Sequence, residues 1–593
     1  MKILFLTHSF NSLAQRLYIE LTRCGHEVSI EFDINDAVTV QAIKFYRPEL
    51  IIAPFLKRAI PEAVWRNHVC FVVHPGIVGD RGPSALDWAI MRDCKEWGVT
   101  VLQADGEMDG GDIWAAISFP MRLAKKSSLY RNEVSEAAVR AVLAAVEHFQ
   151  SGSYKPQPLD YSDSEVKGRL HATIRQVDRT IDWRRDNTRT VLKKIRAADG
   201  FPGVLDTLCG GDYYLFDACA EDTLRGSQPG GVIARRNGAI CRATLDGAVW
   251  VGHLKRKTDG EPALKLPATL VLGEHLTDVP QVPLDSFSPC TGETCRDIWF
   301  EQKNNVGYLH FDFYNGAMST EQCERLRETY LAATQCDVRV IVLMGGADFW
   351  SNGIHLNCIE AADSPADESW RNINAMNDLV CAIITNTSQL TIAALQGNAG
   401  AGGVFLSLAS DHVYAREGVV LNPHYRGMGN LYGSEYWTYL LPRRVGDRKA
   451  ALLTQNRLPV GAAEACEMNL IDRCFGGSLA DFRCEMERVA AELAASPDYT
   501  VLLQEKNARR ERDEREKPLD TYRAEELRHM QLNFYGFDPS YHVARYNFVY
   551  KIPHAWTPLY LARHRRIAGQ AGFKTRSVRF CDGRVPGSAR SSD

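Results

Sequence analysis

Two separate stretches of this chain repeat one rhythm, a short, largely apolar run followed by residues with helical spacing. That rhythm restricts the possible folds more than any other feature. In the first stretch KILFL (2–6) precedes the helical spacing of Ser12–Cys24, and EVSIEF (27–32), LIIA (50–53) and CFVV (70–73) follow as further strand candidates. In the second, VGYLHFDF (306–313), VRVIVLMGG (338–346) and LTIAALQG (390–397) alternate with helical stretches that include Thr320–Ala333 and Ser369–Thr385. Short, largely apolar runs bounded by turns read as buried strands, and their alternation with helices predicts parallel sheets covered by helices. The expected fold class is therefore α/β and multidomain.

The region between the two reads differently. GVLDTLCGGDYYLF (203–216) and GGVIARRNGAICRATLDGAVWVG (230–252) are short strands with frequent Gly-rich turns, the pattern of a small, OB-like β-barrel. The polar segments SGSYKPQPLDYSDSE (151–165) and VPQVPLDSFSPCTGETCRDI (279–298) read as linkers. The expected organisation is an α/β unit over 1–150, a linker to 167, the β-unit over 168–278, a linker to 298, a second α/β unit over 299–480, a helical extension over 481–560 and a disordered tail over 561–593. The charged run EKNARRERDEREK (505–517) in the extension is expected to be a solvated helix face.

Composition narrows the functional classes. A formal net charge of -4 provides no basic field for nucleic acid. The N-terminal apolar run is too short for a signal peptide, and no stretch approaches the ~18 apolar residues of a membrane span. The 16 cysteines are scattered, with no CxxC pair, which fits a reduced cytoplasmic protein without a structural metal. The turn after the first strand, THSFNSLAQ, lacks the glycines that a dinucleotide pyrophosphate requires.

Two constellations carry chemistry. His74 ends a buried strand, where an open α/β sheet usually holds its ligand, and Asp109 lies in a DGGD turn that could aim a carboxylate at it. Such a carboxylate fixes the imidazole tautomer and raises its basicity. Further on, the Gly-rich turns of FWSNGIHLN (349–357) and LQGNAGAGGVFLSLASD (395–411) would let the N–H groups of Ile354 and Gly402 converge on a thioester carbonyl. Tyr425 and Glu435, in LNPHYRGMGNLYGSE (421–435), are the preferred acid/base pair, with His424 as rival base.

The order HPxxxxxRGPSxLDWAI, then GVTVLQxDxxMDGGDI, resembles formyl-tetrahydrofolate-dependent formyltransferases over most of residues 1–150. The resemblance continues over RTIDWRRDNTRTVLKKIRAADGFPGV (179–204) into that family's C-terminal β-barrel. It implies His74 and Asp109 as the catalytic pair, with Gln15 and Arg131 as folate or formyl contacts. One departure stands out: that family has Asn two residues before the His, and here the position is Val72. Losing such an oxyanion donor can cost about 3 kcal/mol.

Residues 306–480 resemble the crotonase superfamily, whose closing segment is matched by GAAEACEMNLID (461–472). Phe405 and His424 stand where its hydratases carry glutamates, so hydration of a double bond is not expected. The whole order of modules, including YHVARYNFVYK (541–551), resembles hydrogenase maturation factors of the HypX/HoxX type. The resemblance adds Arg81, Gly353, Gly403 and Arg545 as carrier-binding positions. It implies 10-formyl-tetrahydrofolate as formyl donor, coenzyme A as acceptor, and carbon monoxide as a product delivered to the iron of a [NiFe]-hydrogenase. The implied partners are the two small carriers and hydrogenase maturation proteins, with no nucleic acid and no membrane. The competing readings are a formyltransferase or formyl-folate hydrolase acting without coenzyme A, and a non-enzymatic scaffold or formate sensor.

Overall fold

In the computed structural model, which describes residues 1–260 and 262–566, the apolar runs become strands where expected. β1 (Lys2–Thr7), β2 (Glu27–Phe32), β3 (Leu50–Ala53), β4 (Cys70–His74), β5 (Glu96–Gln103) and β6 (Ile113–Pro120) form one sheet in the order β2-β1-β3-β4-β5-β6. The first three pairings are parallel, but β4–β5 and β5–β6 are antiparallel, so the wholly parallel sheet expected here is corrected at one edge. The link over residues 104–112 is too short for the crossover that a parallel β5–β6 pair needs. Helix α1 (Ser12–Arg23) starts where the Asn11 side chain accepts the Ala14 N–H at 3.0 Å. After α2 (Ala85–Met91), α3 (Ser135–Ser151) packs on β5, β6 and α1 through an Ala/Val stripe.

The middle unit is an antiparallel sheet of β7 (Val204–Leu208), β8 (Gly211–Glu221), β9 (Val232–Arg236), β10 (Ala239–Ala243), β11 (Ala248–Arg256) and β12 (Lys265–Pro267). Its path is β7-β8-β11-β10-β9, with β12 on the far half of β11. The two-residue turn Asn237–Gly238 has φ of 45° and 87°, the left-handed geometry that matches strand twist in tight hairpins. Helix α4 (Thr188–Ala198) covers β8.

The second α/β unit has a six-stranded sheet, β13 (Ile298–Lys303), β14 (Val306–Phe311), β15 (Val340–Gly345), β17 (Leu390–Leu395), β19 (His412–Arg416) and β22 (Arg473–Phe475), parallel from β14 onward. A small sheet of β16 (Phe349–Ser351), β18 (Asn398–Gly400), β20 (Val420–Asn422) and β21 (Val460–Gly461) supplies a second layer. β16, β18 and β20 each follow a strand of the large sheet within a few residues, which places this layer at the carboxyl ends. Helices α5 (Thr320–Ala333) and α6 (Pro365–Ile384) flank the sheet; α7 (Gly402–Leu408) and α8 (Trp437–Val445) lead from the site, and α9 (Leu479–Ala495), α10 (Tyr499–Glu516), α11 (Leu519–Tyr535) and α12 (Ser540–Val549) form the extension.

Two expectations for the extension change. The charged run in α10 is not a purely solvated face: Lys506 is buried and pairs with Asp411 at 2.7 Å. Residues 561–566, expected in the tail, pack on the first unit. The Leu561 carbonyl accepts the Ile30 N–H at 3.1 Å, and the fully buried His564 bridges Ser29 and Glu31 at 2.8 Å each. The rest of the expected tail lies outside the described residues.

Candidate active site

His74 ends β4 and is buried. Its Nε2 lies 2.9 Å from Asp80 Oδ2, and its Nδ1 lies 3.5 Å from Asp109 Oδ2. The hydrogen bond is thus to Asp80, which the sequence reading passed over, and Asp109 is the more distant carboxylate. A tight turn produces this. A Cβ on Gly76 would sit 2.4 Å from His74 Nε2 and 2.6 Å from Asp80 Oδ2, so only glycine lets the chain fold the carboxylate back onto the ring. Asp80 is fully buried, and its other oxygen has no hydrogen-bond partner among the described residues; His171 Nε2, which accepts from Arg92 at 2.8 Å, lies 3.7 Å away. Asp109 adopts φ of 52° and accepts the Gly82 N–H at 3.1 Å. Arg81 donates to the Met108 carbonyl at 2.9 Å and pairs with Glu107 at 3.0 Å, so in this state it clamps the turn that carries Asp109.

Gln15 and Arg131 reach across to the second α/β unit. Gln15 accepts from the Asn422 side chain at 3.0 Å. Arg131 donates to Asn315 at 3.0 Å, lies 3.6 Å from Asp348 and covers the Phe349 ring. The middle unit joins at the same seam. Tyr314 donates to Asp199 at 2.7 Å, Lys265 donates to the Tyr314 hydroxyl at 3.1 Å, and Lys125 pairs with Asp217 at 2.8 Å. Burial lowers the Lys265 ammonium to about 8, and burial raises the Asp312 carboxyl to about 6. None of the seam residues Tyr314, Asp199, Lys265 or Lys125 had a sequence signal, because each is an ordinary polar residue until three units meet.

In the second site Gly353, at φ of 78°, packs its turn against the Gly402 turn: a Cβ on Gly353 would lie 3.3 Å from Gly402 N. Gly402 opens α7, whose start has no side-chain cap. A Cβ on Gly403 would fall 2.0 Å from the Ser351 carbonyl, so glycine is required there too. The Glu435 carboxyl packs directly on this turn, since a Cβ on Gly402 would lie 2.3 Å from Glu435 Oε1. Its other oxygen hydrogen-bonds the Tyr425 hydroxyl, which lies 2.9 Å from the Ser434 carbonyl. Tyr425 is held by stacking on the fully buried Phe405, ring centres 5.3 Å apart. Phe405 therefore builds the pair rather than leaving a gap.

Burial pushes the Glu435 carboxyl up to about 8, and the neighbouring Glu526 adds to this. Glu526 is itself buried and raised by burial to about 7. It accepts from Tyr436 N and Thr438 N, both at 2.9 Å, and from the Thr438 hydroxyl at 2.6 Å. These bonds hold Glu435 and Tyr436 in consecutive left-handed conformations, φ of 60° and 57°, which cost about 1–3 kcal/mol each. Glu526 has no motif around it and was not expected. His424 is lowered to about 4 by burial and by Arg457, and its Nδ1 is buried without a partner among the described residues. Arg545 donates to Glu360 at 2.6 Å and contacts His542, so an incoming anion meets only its remaining N–H groups.

The raised carboxyls set a stability prediction. The folded protein holds the Glu435 proton up to about pH 8, whereas an unfolded chain releases it near 4.5. Rising pH therefore removes stability across that window, by at most about 1.4 kcal/mol per pH unit for one group, and nothing further above it. Glu435→Gln is expected to flatten this loss in denaturant titrations at pH 5, 6.5 and 8. An unchanged slope would mean that Glu435 is ionised in the fold.

The chain matches three families: Formyl transferase over residues 16–146, Formyl transferase, C-terminal domain, over 173–263, and Enoyl-CoA hydratase/isomerase over 301–534. It is 29% identical to 4-chlorobenzoyl coenzyme A dehalogenase-2 of Arthrobacter sp, over 34% of this chain and 74% of that one. It is 54% identical to the hydrogenase maturation factor HoxX of Bradyrhizobium diazoefficiens, over 95% of this chain and 97% of the other. The crystal structure of HypX from Aquifex aeolicus in complex with tetrahydrofolic acid superposes with a TM-score of 0.92 at 49% identity, covering 95% of this chain and 99% of that one. A formyltransferase half, a crotonase half and a likeness that runs through both place the chain in the HypX/HoxX family of hydrogenase maturation factors.

Proposed function

We propose that this protein transfers the formyl group of 10-formyl-tetrahydrofolate to coenzyme A and then splits formyl-CoA into carbon monoxide and free coenzyme A, in a cytoplasmic setting. The carbon monoxide would serve as the iron ligand of the NiFe(CN)2CO centre of a [NiFe]-hydrogenase. The observation that carries the reading is the Tyr425–Glu435 pair packed on Gly402, with Phe405 behind it, where a hydratase would need two carboxylates for water.

In the first half His74, with its Nε2–H donated to Asp80, takes the thiol proton at Nδ1, beside Asp109, as the sulfur attacks the formyl carbon. The tetrahedral centre collapses, the C–N bond to the folate breaks, and the proton passes to the folate nitrogen. Gln15 and Arg131, with Arg81 and Arg545, are proposed to bind the carriers. Gln15 and Arg131 lie at the seam that an acyl carrier must cross.

In the second half the N–H groups of Ile354 and Gly402 hold the thioester oxygen, with Gly353 and Gly403 shaping the turns. Glu435 takes the formyl proton, the C–S bond breaks with its electrons going to sulfur, and Tyr425 protonates the thiolate. The H–C(=O)–S unit becomes CO and HS, so no oxidant or reductant is needed. A carboxyl raised to about 8 is basic enough for this task and would be poorly suited at the usual carboxylate value. His424, lowered to about 4 by burial and by Arg457, is the weaker base.

Mixing the protein with 10-formyl-tetrahydrofolate should yield carbon monoxide and tetrahydrofolate in equal amounts only when coenzyme A is present, read by haem carbonyl absorbance and by chromatography. Folate turnover indifferent to coenzyme A would assign a formyl-folate hydrolase instead.

A further inference from the structure

A cavity of about 250 Å³ opens on the opposite edge of the second α/β unit from the thioester site. Its walls include Ser410 and Asp411, just before β19, and Asp472, just before β22; these are the amino ends of the strands. The Gly402 turn follows the carboxyl end of β17, so the two sites face different ways. Arg443, Arg444, Lys506, Arg509 and Arg510 line the cavity against three carboxylates, Asp411, Asp472 and Asp513. Even after Glu514, outside the lining, takes one arm of Arg510, positive charge is in excess.

Part of this charge is structural. Arg444 grips both oxygens of Asp472 at 2.7 Å and donates to the Ser410 and Asp411 carbonyls. Lys506 is held by the Gln389 carbonyl and Asp411, both at 2.7 Å. Arg443 and Arg510 converge on the Tyr439 oxygen, whose O–H donates to Asp513 at 2.9 Å. The donors left over are those of Arg509, whose only ion-pair contact among the described residues is Asp411 at 3.7 Å, most of Arg443, and the Ser410 hydroxyl. Ser410 is 4% exposed, its hydroxyl oxygen has no hydrogen-bond partner among the described residues, and it lines the cavity. Burying a hydroxyl without a partner is unfavourable, and forked guanidiniums match tetrahedral oxyanions in shape and charge.

We propose that this cavity binds a phosphate group, free or carried as a monoester by a small molecule, through Arg443, Arg509 and Ser410. The volume leaves room for part of the carrier. Arg443 lies on α8, which starts two residues after Glu435, so an occupied cavity would stiffen the segment that presents the candidate base.

Calorimetric titration of the full chain with inorganic phosphate and with glycerol 3-phosphate, at matched ionic strength, tests this directly. Saturable binding of either ligand is expected, the preferred one identifying the source. Arg509→Gln is expected to weaken binding at least tenfold, and Ser410→Ala by less. Arg509 is 45% exposed at its side chain, so its replacement is not expected to disturb folding. Phosphorus resonance broadening provides a second readout. Neither ligand binding above the chloride control, or equal binding by Arg509→Gln, would overturn the proposal.

Discussion

Glu435→Gln is expected to lower carbon monoxide release by about two to four orders of magnitude while formyl transfer continues, so that formyl-CoA accumulates. The amide keeps the shape of the carboxyl and its contact with Gly402 but cannot take the formyl proton. Tyr425→Phe should give the same species with a smaller deficit, because water can replace a phenol as proton donor to a thiolate. The pH dependence separates these roles. If Glu435 is the base, release should rise with pH and level off above about 8, where its carboxyl is ionised. Glu526→Gln removes a neighbouring buried carboxyl that raises Glu435, so the plateau should begin at lower pH. Unchanged carbon monoxide output from Glu435→Gln, with loss only in His424→Ala, would move the base to His424.

His74→Ala is expected to reduce consumption of 10-formyl-tetrahydrofolate by a similar factor, about two to four orders of magnitude, with the second half still able to split added formyl-CoA. The two carboxylates beside it should differ. Asp80→Asn replaces the carboxylate at 2.9 Å by a neutral amide, so it should lower kcat and shift its pH profile with little change in KM for the folate. Asp109→Asn acts on a residue that is 3.5 Å from the ring and is held by the Gly82 N–H, and it should be severe as well if Asp109 meets the substrate. Folate turnover near wild type in His74→Ala would remove this site from the reaction. A normal pH profile in Asp80→Asn would reduce Asp80 to a packing role.

The C-terminal strap has a smaller but related meaning. Residues 557–565 return to β2 and bury His564, Glu31 and Thr557 against one another. The last described turn thereby closes the chain onto its first sheet.

What the sequence determined by itself is local. A buried strand ending in His74, the DGGD turn at Asp109, and the glycine turns around Ile354 and Gly402 are each contiguous segments. Their backbone geometry follows from the residue types within a few positions. The two-residue hairpin at Asn237–Gly238 and the helix start at Asn11 belong to the same class. What only the tertiary structure decided are pairings between polar groups far apart in the chain. Glu526 holds the turn at Glu435, Gln15 meets Asn422, Arg131 meets Asn315 and Asp348, and Lys506 is drawn in to Asp411. A lone Glu, Gln or Lys carries no periodicity, and the cost of leaving it unpaired arises only once packing has buried it. Asp80 lies between the two cases: six residues from His74, it is legible only after one knows that the Gly76 turn folds back tightly enough to bring carboxylate and imidazole to 2.9 Å.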